Sequence, residues 1–223
     1  MSATDPRWIY LHGFASGPAS KKGVALAAHY ARRGVELARL DLRLPSLERL
    51  RMGPMLAAVR AALGSERDRA VVFGSSLGGL VAARAAEEDP RVAALVLLAP
   101  AFRFAERWRL RLGEDAWRRW SETGWLDVED HTTGAMARVD FGFLLDVAQI
   151  DGRSGGWPDV RVPTLIVHGR RDEVVDIALS RQWAEGRRQV RLVEVDDGHD
   201  LLTSIDRIAA EADAFLAPFL GPA

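Results

Sequence analysis

Short apolar runs alternate with amphipathic stretches along most of this chain, and that alternation limits the fold more than any other feature. RWIYLHG (7–13), VELARLDL (35–42), RAVVFG (69–74), VAALVLLAP (92–100), VPTLIVHG (162–169) and VRLVEVDDG (190–198) each read as a strand. The run at 92–100 is apolar throughout, the pattern of a parallel strand buried on both faces. Helical spacing fills the intervals. Ser20 is the expected N-cap of a helix over 21–33, with Val24, Ala27, Ala28 and Ala31 on one face and Gly34 as its stop. Residues 46–63 repeat Leu47, Leu50, Met55, Val59 and Leu63, with a break or kink expected at Gly53-Pro54. Further helices are expected over 77–88, 178–186 and 201–217, the last with a stripe of Leu201, Ile205, Ile208, Ala212 and Phe215. Parallel strands need crossover connections, so about six such strands specify an α/β fold with a mostly parallel sheet.

Residues 101–157 break the rhythm. They hold five of the seven tryptophans (Trp108, Trp117, Trp120, Trp125 and Trp157), many arginines and acids, and no clear strand. The segment reads as a helical cap inserted into a core made of 1–100 and 158–223. The plainer alternative is a pair of peripheral helices whose tryptophans fill the core.

The chain of 223 residues is long enough for one sizeable core. Its formal net charge of -1 implies no general attraction to nucleic acid or to an anionic membrane. With no cysteine, disulfides, thiolate metal sites and a cysteine nucleophile are excluded. MSATDPRW lacks a secretion-signal pattern and no apolar run is long enough to span a bilayer, so a soluble cytoplasmic protein is expected. Lys21 and Lys22 are the only lysines, which fits a coding bias toward arginine.

The chemistry starts at VVFGSSLGG (71–79), where two serines lie between glycines at a strand-to-helix junction. The pattern G-x-S-x-G sets a serine on a sharp, strained turn. The residues two before and two after that serine approach each other and must be small. Around Ser76 they are Gly74 and Gly78; around Ser75 they are Phe73 and Leu77, which would collide. Ser76 is therefore the candidate nucleophile, and Gly79 lets the following helix pack closely on the sheet.

A serine hydroxyl needs an adjacent base. Of five histidines, His12, His168 and His199 fall at C-terminal strand ends, where open parallel sheets bind ligands. His12 and His168 directly precede glycine at the ends of their strands and read as structural braces. His199, in the loop DDGHDL, is the candidate base. Asp172 in VHGRRDEVVD is the candidate acid that orients it, ahead of Glu173 and Asp176; Asp196, Asp197 and Asp200 read as solvated loop acids. An oxyanion hole is expected from the backbone N–H groups of Leu77 and Phe14. The resulting chain order is nucleophile, acid, base.

These stretches carry a family resemblance. YLHGFASGPASKK, FGSSLGG, GRRDEVVD and DDGHD resemble the small YqiA-type bacterial esterases of the α/β-hydrolase superfamily. The HGFAS and GSSLGG stretches also resemble a mitochondrial acyl-protein thioesterase of the same superfamily. The resemblance covers about 1–100 and 160–220, and 101–157 departs from it. It implies a serine esterase or thioesterase that needs no cofactor or metal, acting on a small-molecule substrate through Ser76, Asp172 and His199. Phe14, Trp120 and Trp125 are the candidate substrate contacts. Two alternatives stay open: a non-catalytic binding protein on the same fold, and a small peptidase or amidase in which Glu122, Asp127, Glu129 or Asp130 binds an amine. Neither oligomeric state nor acyl preference follows from the residues.

Overall fold

The structure is a computed structural model that describes residues 6–220. The first five and last three residues of the expected core segments, including the start of the stretch read for a signal, lie outside the described residues. Six strands form one sheet: β1 (Arg7–Leu11), β2 (Leu37–Leu40), β3 (Ala70–Ser75), β4 (Val92–Leu98), β7 (Thr164–Gly169) and β8 (Val190–Val195). Their order is β2-β1-β3-β4-β7-β8 and every pairing is parallel. β3 and β7 are buried along their whole length, including the polar Ser75, Thr164 and His168 that their apolar runs carry.

Helices cover both faces. α1 (Lys21–Ala31) and α7 (Ile205–Leu216) pack one face through Leu26, Tyr30, Ile208 and Ala212, against Trp8, Phe73 and Val96. On the other face lie α2 (Met52–Ala62), α3 (Leu77–Glu88), α4 (Phe104–Thr123), α5 (Gly142–Asp151) and α6 (Ile177–Ala184). Two expectations change here. Gly53-Pro54 does not break a helix; it lies in the first turn of α2, where a missing N–H costs nothing. α7 starts at Ile205, because Leu201 adopts φ 54° in the preceding loop.

The 101–157 segment is not wholly helical. Between α4 and α5 it holds an antiparallel hairpin, β5 (Trp125–Glu129) and β6 (Met136–Asp140). The alternation Trp125, Asp127, Glu129 against Leu126, Val128 is the two-residue period that the tryptophan content obscured. The hairpin tip is tied to the first loop by His131 N–H donating to the Ala15 carbonyl at 2.8 Å, and its base by Arg51 on Asp140 at 2.7 and 2.9 Å. α5 is held to α3 by Arg84, 1% exposed, which bonds Asp151 at 2.9 Å and Glu87 at 2.8 Å. Removing one partner of a buried ion pair strands the other. Arg84→Met is therefore expected to lower unfolding free energy by about 3–5 kcal/mol in urea denaturation.

Candidate active site

The sheet order reverses between β1 and β3, and the crevice at their C-terminal ends is where such sheets bind ligands. The loop after β1 and the β3–α3 turn both open there. Ser76 occupies that turn with φ 53° and ψ −116°, a conformation costly for a residue with a side chain. It is held by its own N–H on the Leu98 carbonyl at 2.9 Å and by Ala101 N–H on its carbonyl at 3.0 Å. The turn closes because Gly74 and Gly78 touch: a Cβ on Gly74 would lie 2.4 Å from the Gly78 carbonyl oxygen. A Cβ on Gly79 would meet Pro100 at 3.0 Å, so α3 rests close against the end of β4.

His199 and Asp172 reach Ser76 from the ends of β8 and β7. His199 Nε2 lies 3.1 Å from Ser76 Oγ, and His199 Nδ1 lies 2.8 Å from Asp172 Oδ2. The carboxylate of Asp172 is fully buried, while the His199 ring is 19% exposed toward the crevice. Asp172 Oδ1 accepts the N–H groups of Val174 at 2.9 Å and Val175 at 2.7 Å. Burial alone would raise the Asp172 carboxyl. The hydrogen bonds from His168, His199 and Val175 outweigh it and hold the group well below the usual carboxylate range. A depressed carboxyl adds stability that is complete above the unfolded value of about 4 and is lost as pH falls through the folded value. Asp172→Asn is accordingly expected to be less stable than the parent at pH 7. The gap should narrow steadily below about pH 4 in urea midpoints measured across pH.

His168, expected as a brace, lies against the Asp172 carboxylate. Its Nε2 faces the Val175 carbonyl at 2.9 Å and Asp172 Oδ2 at 3.1 Å, both acceptors, so that nitrogen carries the proton. Nδ1 then accepts from Ser180 Oγ at 2.8 Å. His12 also bridges loops: Nδ1–H donates to the Gly13 carbonyl and Nε2 accepts from Leu42 N–H, each at 2.9 Å. Burial lowers its pKa and keeps it neutral. Asp197 is not a solvated acid. It is 5% exposed and accepts the N–H groups of Gly198 at 2.8 Å and Ser204 at 2.9 Å, which shapes the His199 loop.

Gly13 sits beside the serine, since a methyl in its place would lie 3.3 Å from Ser76 Cβ. Phe14 follows it, and Leu77 opens α3 directly after Ser76. Neither backbone N–H of this pair has a partner among the described residues. Over these groups lies a cavity of about 850 Å³ with an apolar wall of Phe14, Phe104, Trp108 and Val128. Phe14 meets Trp108 edge-on at 5.0 Å. The expected contacts Trp120 and Trp125 do not line it. Trp120 is 1% exposed and its indole N–H bonds the Val139 carbonyl, so it packs the segment internally. Trp125 lies against Arg138, whose guanidinium is 4.3 Å from its ring centre. Trp108 takes the place expected for them; five tryptophans in one segment offered no signal to choose among.

Residues 7–217 match the model of a family described as an uncharacterised protein family, UPF0227. The chain belongs to that family. No curated protein matches it at a significant level. Among solved structures, alpha/beta hydrolase domain-containing protein 10 from mouse is 20% identical with a TM-score of 0.77, over 98% of this chain and 92% of that one. Est1E from Butyrivibrio proteoclasticus is 22% identical with a TM-score of 0.76, over 98% and 89% of the two chains. An esterase domain from Rhodothermus marinus is 19% identical with a TM-score of 0.70, over 98% and 90%. The UPF0227 chain thus has the α/β-hydrolase fold, an open parallel sheet with helices on both faces. Among the described residues no helix is long and apolar enough to cross a membrane.

Proposed function

We propose that this protein is a serine hydrolase that cleaves carboxylic ester or thioester bonds of small acyl substrates. The observation that carries the reading is the continuous chain from Ser76 Oγ to His199 Nε2 at 3.1 Å and from His199 Nδ1 to Asp172 at 2.8 Å, opening into a cavity. Ser76 attacks the acyl carbonyl while His199 takes its proton, and Asp172 stabilises the imidazolium. The N–H groups of Leu77 and Phe14 receive the charge on the carbonyl oxygen, where one such donor is worth about 3–4 kcal/mol. The leaving group departs with the proton from His199. Water, deprotonated by the same ring, then attacks the acyl-enzyme and releases the acid. Residues 101–157 serve as the cap that walls the acyl pocket through Phe104, Trp108 and Val128. Est1E, which shares the fold, is known with ferulic acid bound, which places an aromatic acid among the ligands worth trying here.

The test is fluorophosphonate labelling of the pure protein with mass-spectrometric mapping. A stoichiometric adduct on Ser76 that disappears on heat denaturation is expected. Folded protein with no adduct on any serine would overturn the proposal and leave a binding role on this fold.

A further inference from the structure

The cavity beside Ser76 is lined by four basic side chains, Lys21, Lys22, Arg107 and Arg111, against two carboxylates, Glu129 and Asp200. None of the four has a carboxylate within ion-pair distance among the described residues. On α4 the contrast is sharp. Arg103, Arg109 and Arg118 each pair with an acid of the same helix, at Glu106, Glu114 and Asp115. Arg107 and Arg111, one turn apart and both lining the cavity, do not; neither does Arg119, which is exposed and does not line it. Like charges at that spacing repel, and two lysines in the first turn of α1 oppose the helix dipole with no acid there to offset them. Four cations are thus gathered from two elements with no close ion pair to any of them among the described residues.

Two of the four are half-buried and already partly engaged. Lys22 Nζ donates to the His199 carbonyl at 3.3 Å, and the Arg107 guanidinium donates to the Val174 carbonyl. One cation therefore touches the loop of the base and the other the loop of the acid, each with donors left over. Burial pushes the Lys22 ammonium down to about 8, even with Asp200, Asp172 and Asp197 acting to raise it. An ammonium that remains so poorly compensated lacks a close counter-ion. The chain has 30 basic residues and only these two lysines, adjacent in sequence and both at the cavity.

We infer that this cavity selects acyl substrates bearing an anionic group, a carboxylate or a phosphate, held between Lys22 and Arg107 with Lys21 and Arg111 at the rim. The inference rests on the hydrolase reading for its turnover test and on binding for an independent one. 4-Nitrophenyl hydrogen adipate and 4-nitrophenyl hexanoate differ chiefly in a carboxylate on the acyl chain. A butyryl ester of glycerol 3-phosphate and butyrylglycerol differ in a phosphate on the leaving group. In at least one pair kcat/KM should favour the anion by about tenfold at low salt, carried mainly by KM, as a charged hydrogen bond predicts. Which pair responds tells which anion and which side of the ester is recognised. The preference should fade toward 1 M salt, where screening acts over about 3 Å. Lys21→Gln/Arg111→Gln should raise KM for the anionic ester more than for the neutral one and flatten its salt dependence.

Binding is read separately on Ser76→Ala by isothermal titration calorimetry, with monomethyl adipate against dimethyl adipate and, for the other arm, glycerol 3-phosphate against glycerol. Tighter binding of an anionic probe supports the inference even if the parent hydrolyses nothing, an outcome that would sink only the hydrolase reading. Equal or weaker binding of the anions, with no salt-dependent preference in turnover, would overturn it.

Discussion

Ser76→Ala is expected to reduce hydrolysis of any accepted ester by about four to six orders of magnitude in kcat while leaving the fold intact. In the proposed mechanism this hydroxyl forms the acyl-enzyme; the other serine bonded to a histidine, Ser180 on His168, is fully buried and does not line the cavity. Ser75, the nearest, is the buried last residue of β3. A residual rate of about 10³ over water would remain if the Leu77 and Phe14 N–H groups still polarise a bound carbonyl. The substitution also removes a strained residue's side chain without altering φ, so thermal unfolding should be nearly unchanged. A burst of 4-nitrophenol from the parent under pre-steady-state conditions, absent in Ser76→Ala, would show the covalent step directly. Retention of more than a tenth of the parent rate would sink the mechanism.

The second large effect concerns stability. Gly78→Ala is expected to cost more than about 4 kcal/mol, lowering Tm by at least about 8 °C or preventing folded protein from accumulating. A Cβ there would lie 2.2 Å from the Leu11 carbonyl oxygen and 2.5 Å from that of His12, both backbone atoms at the end of β1. Backbone in a central strand cannot yield as a flexible side chain can. Gly53→Ala is the matched control. It lies in the first turn of α2 with nothing within 4 Å of the added carbon, so it should be neutral or slightly stabilising. If the two substitutions cost the same, the close approach of α3 to β1 is not what fixes the turn.

Much of the architecture was legible because its signals are local. β4 is apolar throughout and β3 is so up to its closing Gly74-Ser75, and a segment that cannot expose either face has few places to go but the middle of a sheet. α3 runs over 77–88 as its composition predicts, starting at the residue after the turn serine. The preference for Ser76 over Ser75 was also local: it needed only the sizes of the residues two positions away on each side. Elements with weaker local signals were misread. The β5–β6 hairpin is short, half-exposed and rich in charge, so its two-residue period is weak beside the tryptophans and arginines of the α4 stretch that precedes it. Gly53-Pro54 looked like an interruption because the beginning of α2 is set by Met52 N–H bonding Asp146 of α5 at 2.5 Å, a contact 94 residues away.

For the site, the division falls between identity and environment. Residue type and position along the chain by themselves determined which serine, histidine and acid fall at strand ends, since parallel strands deliver their C-terminal residues to one edge of the sheet. Only the tertiary structure decided what surrounds them. It put His168 and two backbone N–H groups on Asp172, buried Asp197 beneath the His199 loop, and turned Trp108 into the cavity while Trp120 packed away from it. It also brought Lys22 and Arg107, 85 positions apart, to opposite loops of one cavity. Those contacts depend on the packing of helices and loops over distances along the chain that no local pattern records.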